Sequence, residues 1–259
     1  MSPTGLAARL AAGDTVFSAW SELPDALTVE ALTATAMEAV VLDMQHGGHH
    51  EDSVLRAIAP VVAAAKPALV RVPVGRFDMA SRALDFGAQG VIAPMVNTLA
   101  EARAFAAAMK YPLVGQRSWG PGFAMSRLGR DDAGDWMRRS NAETLAFAMI
   151  ETREALAIVD DILAVPGIDG VFVGPSDLSI AWTDGATMQP SLEAMMEGIG
   201  HIASRARAAG KHAAIYVVDP ALVGRYVGMG YRLIAIGGER RYMALGASSI
   251  LDAARASMR

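Results

Sequence analysis

Two apolar runs that each end in an acid decide the fold: LAFAMIE at 145–151 and GVFVGPSD at 170–177. Neither run alternates apolar with polar residues, which is the pattern of a strand covered on both faces. Between them REALAIVDDILAV (153–165) carries helical spacing. Strand, helix and strand in that order make a βα unit with parallel strands. If such units close into a barrel, Glu151 and Asp177 reach the same rim, the C-terminal one, where these barrels place their sites.

Working outward, the unit repeats. Further strands are expected at TVFSAW (15–20), AVVLDM (39–44), ALVRVP (68–73), GVIAPM (90–95), HAAIYVV (212–218) and RLIAIG (232–237), which brings the count to eight. Helical spacing fills the intervals at 27–37, 51–65, 79–87, 99–109, 192–210 and 220–230. Gly87, Gly210 and Gly230 stand where helices should stop, each followed by a turn into the next strand. The reading is therefore α/β, a (β/α)8 TIM barrel over residues 1–259 as a single domain. One interval departs from it: residues 111–144 show no simple helical period and read as a long loop carrying Trp119 and Phe123. A last amphipathic segment, 241–259, has no strand after it and packs on its own barrel or on another subunit.

Composition narrows the chemistry. A net charge of −4 argues against a nucleic-acid partner. No stretch is apolar enough for a bilayer and the N-terminal segment lacks the continuous apolar core of a secretory signal, so a cytoplasmic location is expected. With no cysteine, an ion here has only nitrogen and oxygen ligands, which favours magnesium, manganese or cobalt over structural zinc. The chain has three lysines, Lys66, Lys110 and Lys211, all on the N-terminal side of strands. None is placed for a Schiff base at the opposite rim.

Polar residues do gather at that rim. Glu151 and Asp177 are the expected metal ligands, since an unpaired buried acid is costly and a divalent ion offsets the cost; the plain alternative is a salt bridge to Arg117 or Arg153. Asp43 precedes His46 by three residues, a spacing that lets a carboxylate raise the basicity of an imidazole; a capping or surface histidine is the alternative. His49 and His50, just beyond, read as solvated beside the residues that start the next helix. Arg71, a charge inside a strand, either holds a substrate oxyanion or pairs with Asp43 or Asp85. Trp20 closes the first strand, and the Gly174–Asp177 turn offers backbone N–H groups to a carboxylate.

The segments VVLDMQHG, VRVPVGR, LDFGAQGVIAPMV, YPLVGQRSWGP, AMIET and GIDGVFVGPSDLS, in this order, resemble the HpcH/HpaI family of class II pyruvate aldolases. The resemblance runs from about Trp20 to about Gly238. It implies reversible aldol cleavage of 4-hydroxy-2-oxo acids, with a 2-oxo acid and an aldehyde as small-molecule partners. It also implies a divalent cofactor (Mg²⁺, Mn²⁺ or Co²⁺) and a homo-oligomer, trimer or hexamer, whose last helix is exchanged between subunits. Carried over by position, His46 is the base and Asp85 the acid that raises its basicity. Arg71 stabilises the enolate oxygen, and Glu151 and Asp177 hold the metal. Ser176, Gly174, Trp20 and Met149 complete the substrate contacts. Gln45 stands where many members have Glu, and Met149 where some have Gln, a combination like that of the branch accepting hydroxypyruvate as well as pyruvate. Other readings are a related carbon–carbon lyase, such as an acyl-CoA lyase or oxaloacetate decarboxylase, and a silent 2-oxo-acid binder.

Overall fold

The computed structural model describes residues 5–258. Eight parallel strands, β1 (Val16–Ser21), β2 (Ala39–Asp43), β3 (Ala68–Arg71), β4 (Gly90–Ala93), β5 (Leu145–Ile150), β6 (Gly170–Val173), β7 (His212–Val217) and β8 (Leu233–Gly238), pair in chain order and β8 closes on β1. The helices are α1 (Leu6–Ala11), α2 (Ala26–Thr33), α3 (Glu51–Ala63), α4 (Phe77–Phe86), α5 (Leu99–Met109), α6 (Gly122–Arg127) and α7 (Ala133–Glu143), then α8 (Arg153–Ala157), α9 (Val159–Ala164), α10 (Pro175–Trp182), α11 (Met196–Ala208), α12 (Val223–Met229) and α13 (Glu239–Ala256). Among the described residues no helix is long and apolar enough to cross a membrane.

The (β/α)8 expectation holds, and three local differences have physical causes. The interval 111–144 is not all loop: it folds α6 and α7, which cover a small core of Tyr111, Ala124 and Trp136. Its polar and glycine-rich composition hid that periodicity. The segment after β6 is helical, beginning with Pro175 at the first position, where a missing N–H is harmless. The segment 153–165 is two short helices, broken at Ile158. Gly87 and Gly230 end their helices at φ +112° and +116°, the left-handed conformation expected there.

Strand parity sorts the core into two clusters. Val40, Leu42, Val70, Ala146, Ala148, Ile150, Val171 and Val173 point outward against the helices. Val41, Leu69, Ile92, Phe147, Met149, Phe172 and Trp20 fill the interior. Because side chains alternate, the interior series on β5 continues from Phe147 and Met149 to Glu151, and that on β2 runs from Val41 to Asp43. Parity therefore delivers the acids to the barrel's upper mouth over an apolar floor.

That floor depends on one missing side chain. A Cβ on Gly170 would lie 2.5 Å from the His212 carbonyl oxygen and 2.8 Å from the Phe147 ring. Gly170→Ala should destabilise the protein by about 1–3 kcal/mol through overpacking, read as a lower urea midpoint; an unchanged midpoint would show that Phe147 repacks freely.

Candidate active site

Arg71 sits opposite Asp43 in the β2–β3 register. Its Nε and Nη2 donate to Asp43 Oδ1 and Oδ2 at 2.9 and 2.7 Å, and both residues are buried. The Trp20 indole lies under the guanidinium at 4.8 Å and donates its N–H to Asp43 Oδ2 at 3.2 Å. Asp43 also receives the backbone N–H groups of Gln45, His46 and Gly47 at 3.0, 3.3 and 2.9 Å. Burial alone would raise its carboxyl; the Arg71 fork and the other donors outweigh this and hold it below the usual carboxylate range. Gly47 is required for the tight wrap, since a Cβ there would meet the Asp43 carbonyl oxygen at 2.5 Å.

These contacts correct one expectation. Asp43 binds the His46 backbone N–H, and among the described residues no hydrogen bond joins its carboxylate to the ring. Asp85, on α4, takes Arg117 at 2.7 Å, and the His46 side chain is exposed. Of the partners expected for Arg71, the structure selects Asp43.

Glu151 is buried just above Met149. Its Oε2 accepts the Met95 N–H at 2.8 Å, and among the described residues no hydrogen bond reaches Oε1. Met95 presents that N–H from a left-handed backbone, φ +53°. Burial pushes the Glu151 carboxyl up to about 7, and the nearby Asp177 charge adds to this against the Met95 N–H and Arg71. Neither expected salt-bridge partner is present: Arg117 holds Asp85 and Arg153 holds Asp184. Asp177 lies half-buried in the first turn of α10. Gly174 leaves room for the pair, because a Cβ there would fall 2.5 Å from Glu151 Oε1.

Among the described residues no three His, Cys, Asp or Glu side chains converge as a metal cage. The donor set is two carboxylates. Two hard oxygen donors, one of them buried without a cation, fit a magnesium- or manganese-type ion that takes its remaining ligands from water and a chelating substrate.

The remaining expected site residues divide. Trp20 and Met149, expected to touch substrate, are buried in the floor with Phe172 and Tyr216, the Trp20 ring standing edge-on to Tyr216 at 5.2 Å. Ser176 is half-buried in the first turn of α10, where helix N–H groups lack intrahelical partners. All three lysines donate to backbone carbonyls on the N-terminal side of strands: Lys66 to Met37, Lys110 to Thr144 and Lys211 to Ile168.

His49 was read as solvated and is instead buried. Ser21 donates to Glu239 Oε1 at 2.5 Å, so its oxygen accepts from His49 Nε2 at 2.8 Å; His49 Nδ1 faces Ser53 at 3.1 Å. This chain ties the loop carrying His46 to the ends of β1 and β8. No spacing signalled it, because its members come from three separate segments. Burial drives the His49 ring down to about 4 despite the Asp43 charge.

Residues 17–244 match the HpcH/HpaI aldolase/citrate lyase family. The chain is 34% identical over 244 residues to a hydroxypyruvate/pyruvate aldolase of Rhizorhabdus wittichii, covering 94% of this chain and 96% of that protein. It is 31% identical over 228 residues to a 2-keto-3-deoxy-L-rhamnonate aldolase of Salmonella gallinarum, covering 87% and 83%. The crystal structure of an HpcH/HpaI aldolase from Desulfitobacterium hafniense superposes with a TM-score of 0.86 at 25% identity, covering 95% of this chain and 96% of that one.

Two outcomes are expected. Because His49 binds its proton near 6.5 when unfolded and near 4 when folded, stability should be full above pH 6.5 and decline as pH falls toward 4, by on the order of 3 kcal/mol. His49→Gln should flatten that segment of the stability–pH curve; an identical slope in both proteins would refute a buried neutral ring. Asp43→Asn should cost about 3–5 kcal/mol in urea unfolding, by leaving Arg71 buried without its counter-charge; a cost under about 1 kcal/mol would show that the pair is dispensable.

Proposed function

Since the chain belongs to the HpcH/HpaI aldolase/citrate lyase family, we propose that it is a divalent-metal-dependent aldolase. It joins pyruvate or hydroxypyruvate to an aldehyde and cleaves the 4-hydroxy-2-oxo acid product. The observation that carries this reading is Glu151: a buried carboxylate without a cation, beside Asp177, above an apolar floor and across the mouth from Arg71.

Glu151 and Asp177 would hold the ion, with Mg²⁺, Mn²⁺ or Co²⁺ all suited to oxygen donors. Bound there, the ion supplies Lewis-acid polarisation of the 2-oxo acid's carbonyl. Among the described residues Arg71 keeps Nη1 without a partner after binding Asp43, and that N–H edge would donate to the oxygen on which enolate charge develops. Trp20 and Asp43 hold the guanidinium so that little reorganisation accompanies the charge. The N–H groups of Ser176 and Asp177 receive the substrate carboxylate at the α10 N-terminus. His46 takes the proton from the carbon next to the carbonyl. Met149 leaves the neighbouring wall apolar. The lysine geometry supports the same reading, since none can form a Schiff base here.

The homo-oligomer belongs to the same proposal. Helix α13 exposes Met243, Leu245, Ile250 and Leu251, and an apolar groove of about 1000 Å³ lies between its first turn and α2. A second copy's α13 fits that groove, consistent with exchange of the last helix.

Solvent-deuterium exchange into pyruvate, without aldehyde, is the decisive measurement. It should require added Mg²⁺ or Mn²⁺ and vanish in Glu151→Gln and Asp177→Asn; full exchange in the chelator-treated double variant would end the metal reading. Arg71→Lys should slow exchange and cleavage together by about 10²–10³-fold, whereas loss of cleavage alone would place Arg71 at the aldehyde. Ile250→Asp with Leu251→Asp should lower the mass seen by light scattering, and an unchanged mass would exclude α13 from the interface.

A further inference from the structure

The mouth opposite the candidate active site holds a second built cavity. It has a volume of about 480 Å³ and lies against the N-terminal ends of β7 and β8. Arg207, Lys211, His212 and Arg232 line it, and no carboxylate is among its lining residues. That is unexpected in a chain of net charge −4. Like charges gathered around a low-dielectric concavity repel one another, and an anion is what offsets them.

The partners of each cation sharpen the point. Arg205, in the same turn of α11, is matched by Asp160 at 2.5 Å, whereas among the described residues the Arg207 side chain makes no ion pair or hydrogen bond. Arg232 uses only Nη1, on the carbonyls of Val227 and Tyr231 at 2.9 Å each, which fixes its guanidinium and leaves Nε and Nη2 open. Lys211 gives one hydrogen to Ile168 at 2.6 Å and retains two. Among the described residues no hydrogen bond reaches the half-buried His212 ring. The acid whose charge His212 feels, Asp169, is already engaged by Lys110 and the Ala146 N–H, both at 2.7 Å. Space is open as well: a Cβ on Gly210 or Gly228 would meet nothing within 4 Å.

We propose that this cavity binds a phosphorylated small molecule. Guanidinium forks match phosphate oxygens bidentately, and the volume lies in the range of small-ligand sites, roughly 300–1,000 Å³. A concave site lined by three cations, two of them tethered to backbone carbonyls, on an acidic chain suits a compact dianion better than a nucleic acid, which needs an extended basic face. The site is separate from the aldol chemistry, since it opens at the other end of the barrel.

Isothermal titration with pyrophosphate, on the full-length protein at constant ionic strength, tests it. Saturable binding is expected that saturating pyruvate does not displace, with a matching rise in melting temperature. Arg207→Glu, at an exposed position, should weaken binding at least tenfold while leaving pyruvate deuterium exchange unchanged, and Arg232→Gln should weaken it similarly. Equal affinity in both variants, or an equal rise in melting temperature with chloride at matched ionic strength, would overturn the site. Binding of tricarballylate in place of pyrophosphate would overturn the phosphate assignment.

Discussion

The buried pair between Asp43 and Arg71 is the contact on which the upper half of the molecule depends. One carboxylate receives two N–H groups of the guanidinium, the Trp20 indole and three backbone N–H groups of the following turn. An isolated buried charge of either sign is costly, and the pair is tolerable only because nearly every lone pair is used. The same contacts set the geometry of function. Arg71 is fixed with one edge free, and the turn that presents His46 cannot drift from β2. The pair links strand register to site chemistry directly, since Asp43 and Arg71 face each other because Val41 faces Leu69 one pleat below.

Above the same floor, Glu151 is the converse case. Among the described residues its carboxylate has one hydrogen bond, from Met95, and no ion pair. Asp43 is satisfied and held below the usual carboxylate range, whereas Glu151 is pushed up to about 7 by burial, so two acids at one rim sit in opposite environments. Gly174 belongs to this arrangement, because any side chain there would occupy the space beside Glu151 Oε1. The apolar layer of Met149, Phe172 and Trp20 then does two things at once: it packs the barrel and raises the energy of an unpartnered charge above it.

Much of this was legible in the sequence because it follows from chain-local rules. Apolar runs at helix-separated intervals gave the eight strands, and the period of two carried Glu151 and Asp43 to the interior. Gly87 and Gly230 marked helix ends that the backbone confirms. What was not legible depends on contacts between distant segments. His49 looks like one more polar residue in GGHHED, yet Ser21, Ser53 and Glu239 converge on it or its partner. Asp43 was read as a partner for the His46 ring from spacing alone, but a strand-borne arginine one register away outcompetes an imidazole on a turn. The helices α6 and α7 were missed because their apolar face is narrow and covers only the Tyr111–Trp136 patch.

The cavity beside the starts of β7 and β8 is lined by cations where the rim at Glu151 carries acids, and topology explains how both persist. Strand C-termini bring acids and the Arg71 fork to one end; helix C-termini and the residues before β7 and β8 bring Arg207, Lys211 and Arg232 to the other. A cation after a helix is favoured by the helix dipole, so the lower mouth collects positive charge at little local cost. Local helix energetics alone would be served by arginines matched like Arg205 with Asp160. The lower mouth instead leaves Arg207 unmatched and fixes Arg232 through a single nitrogen pair of contacts, keeping its remaining N–H groups toward open space. The two proposed sites thus follow one rule with the sign reversed: a charge that the fold leaves without its counter-charge is where a ligand of opposite sign would bind.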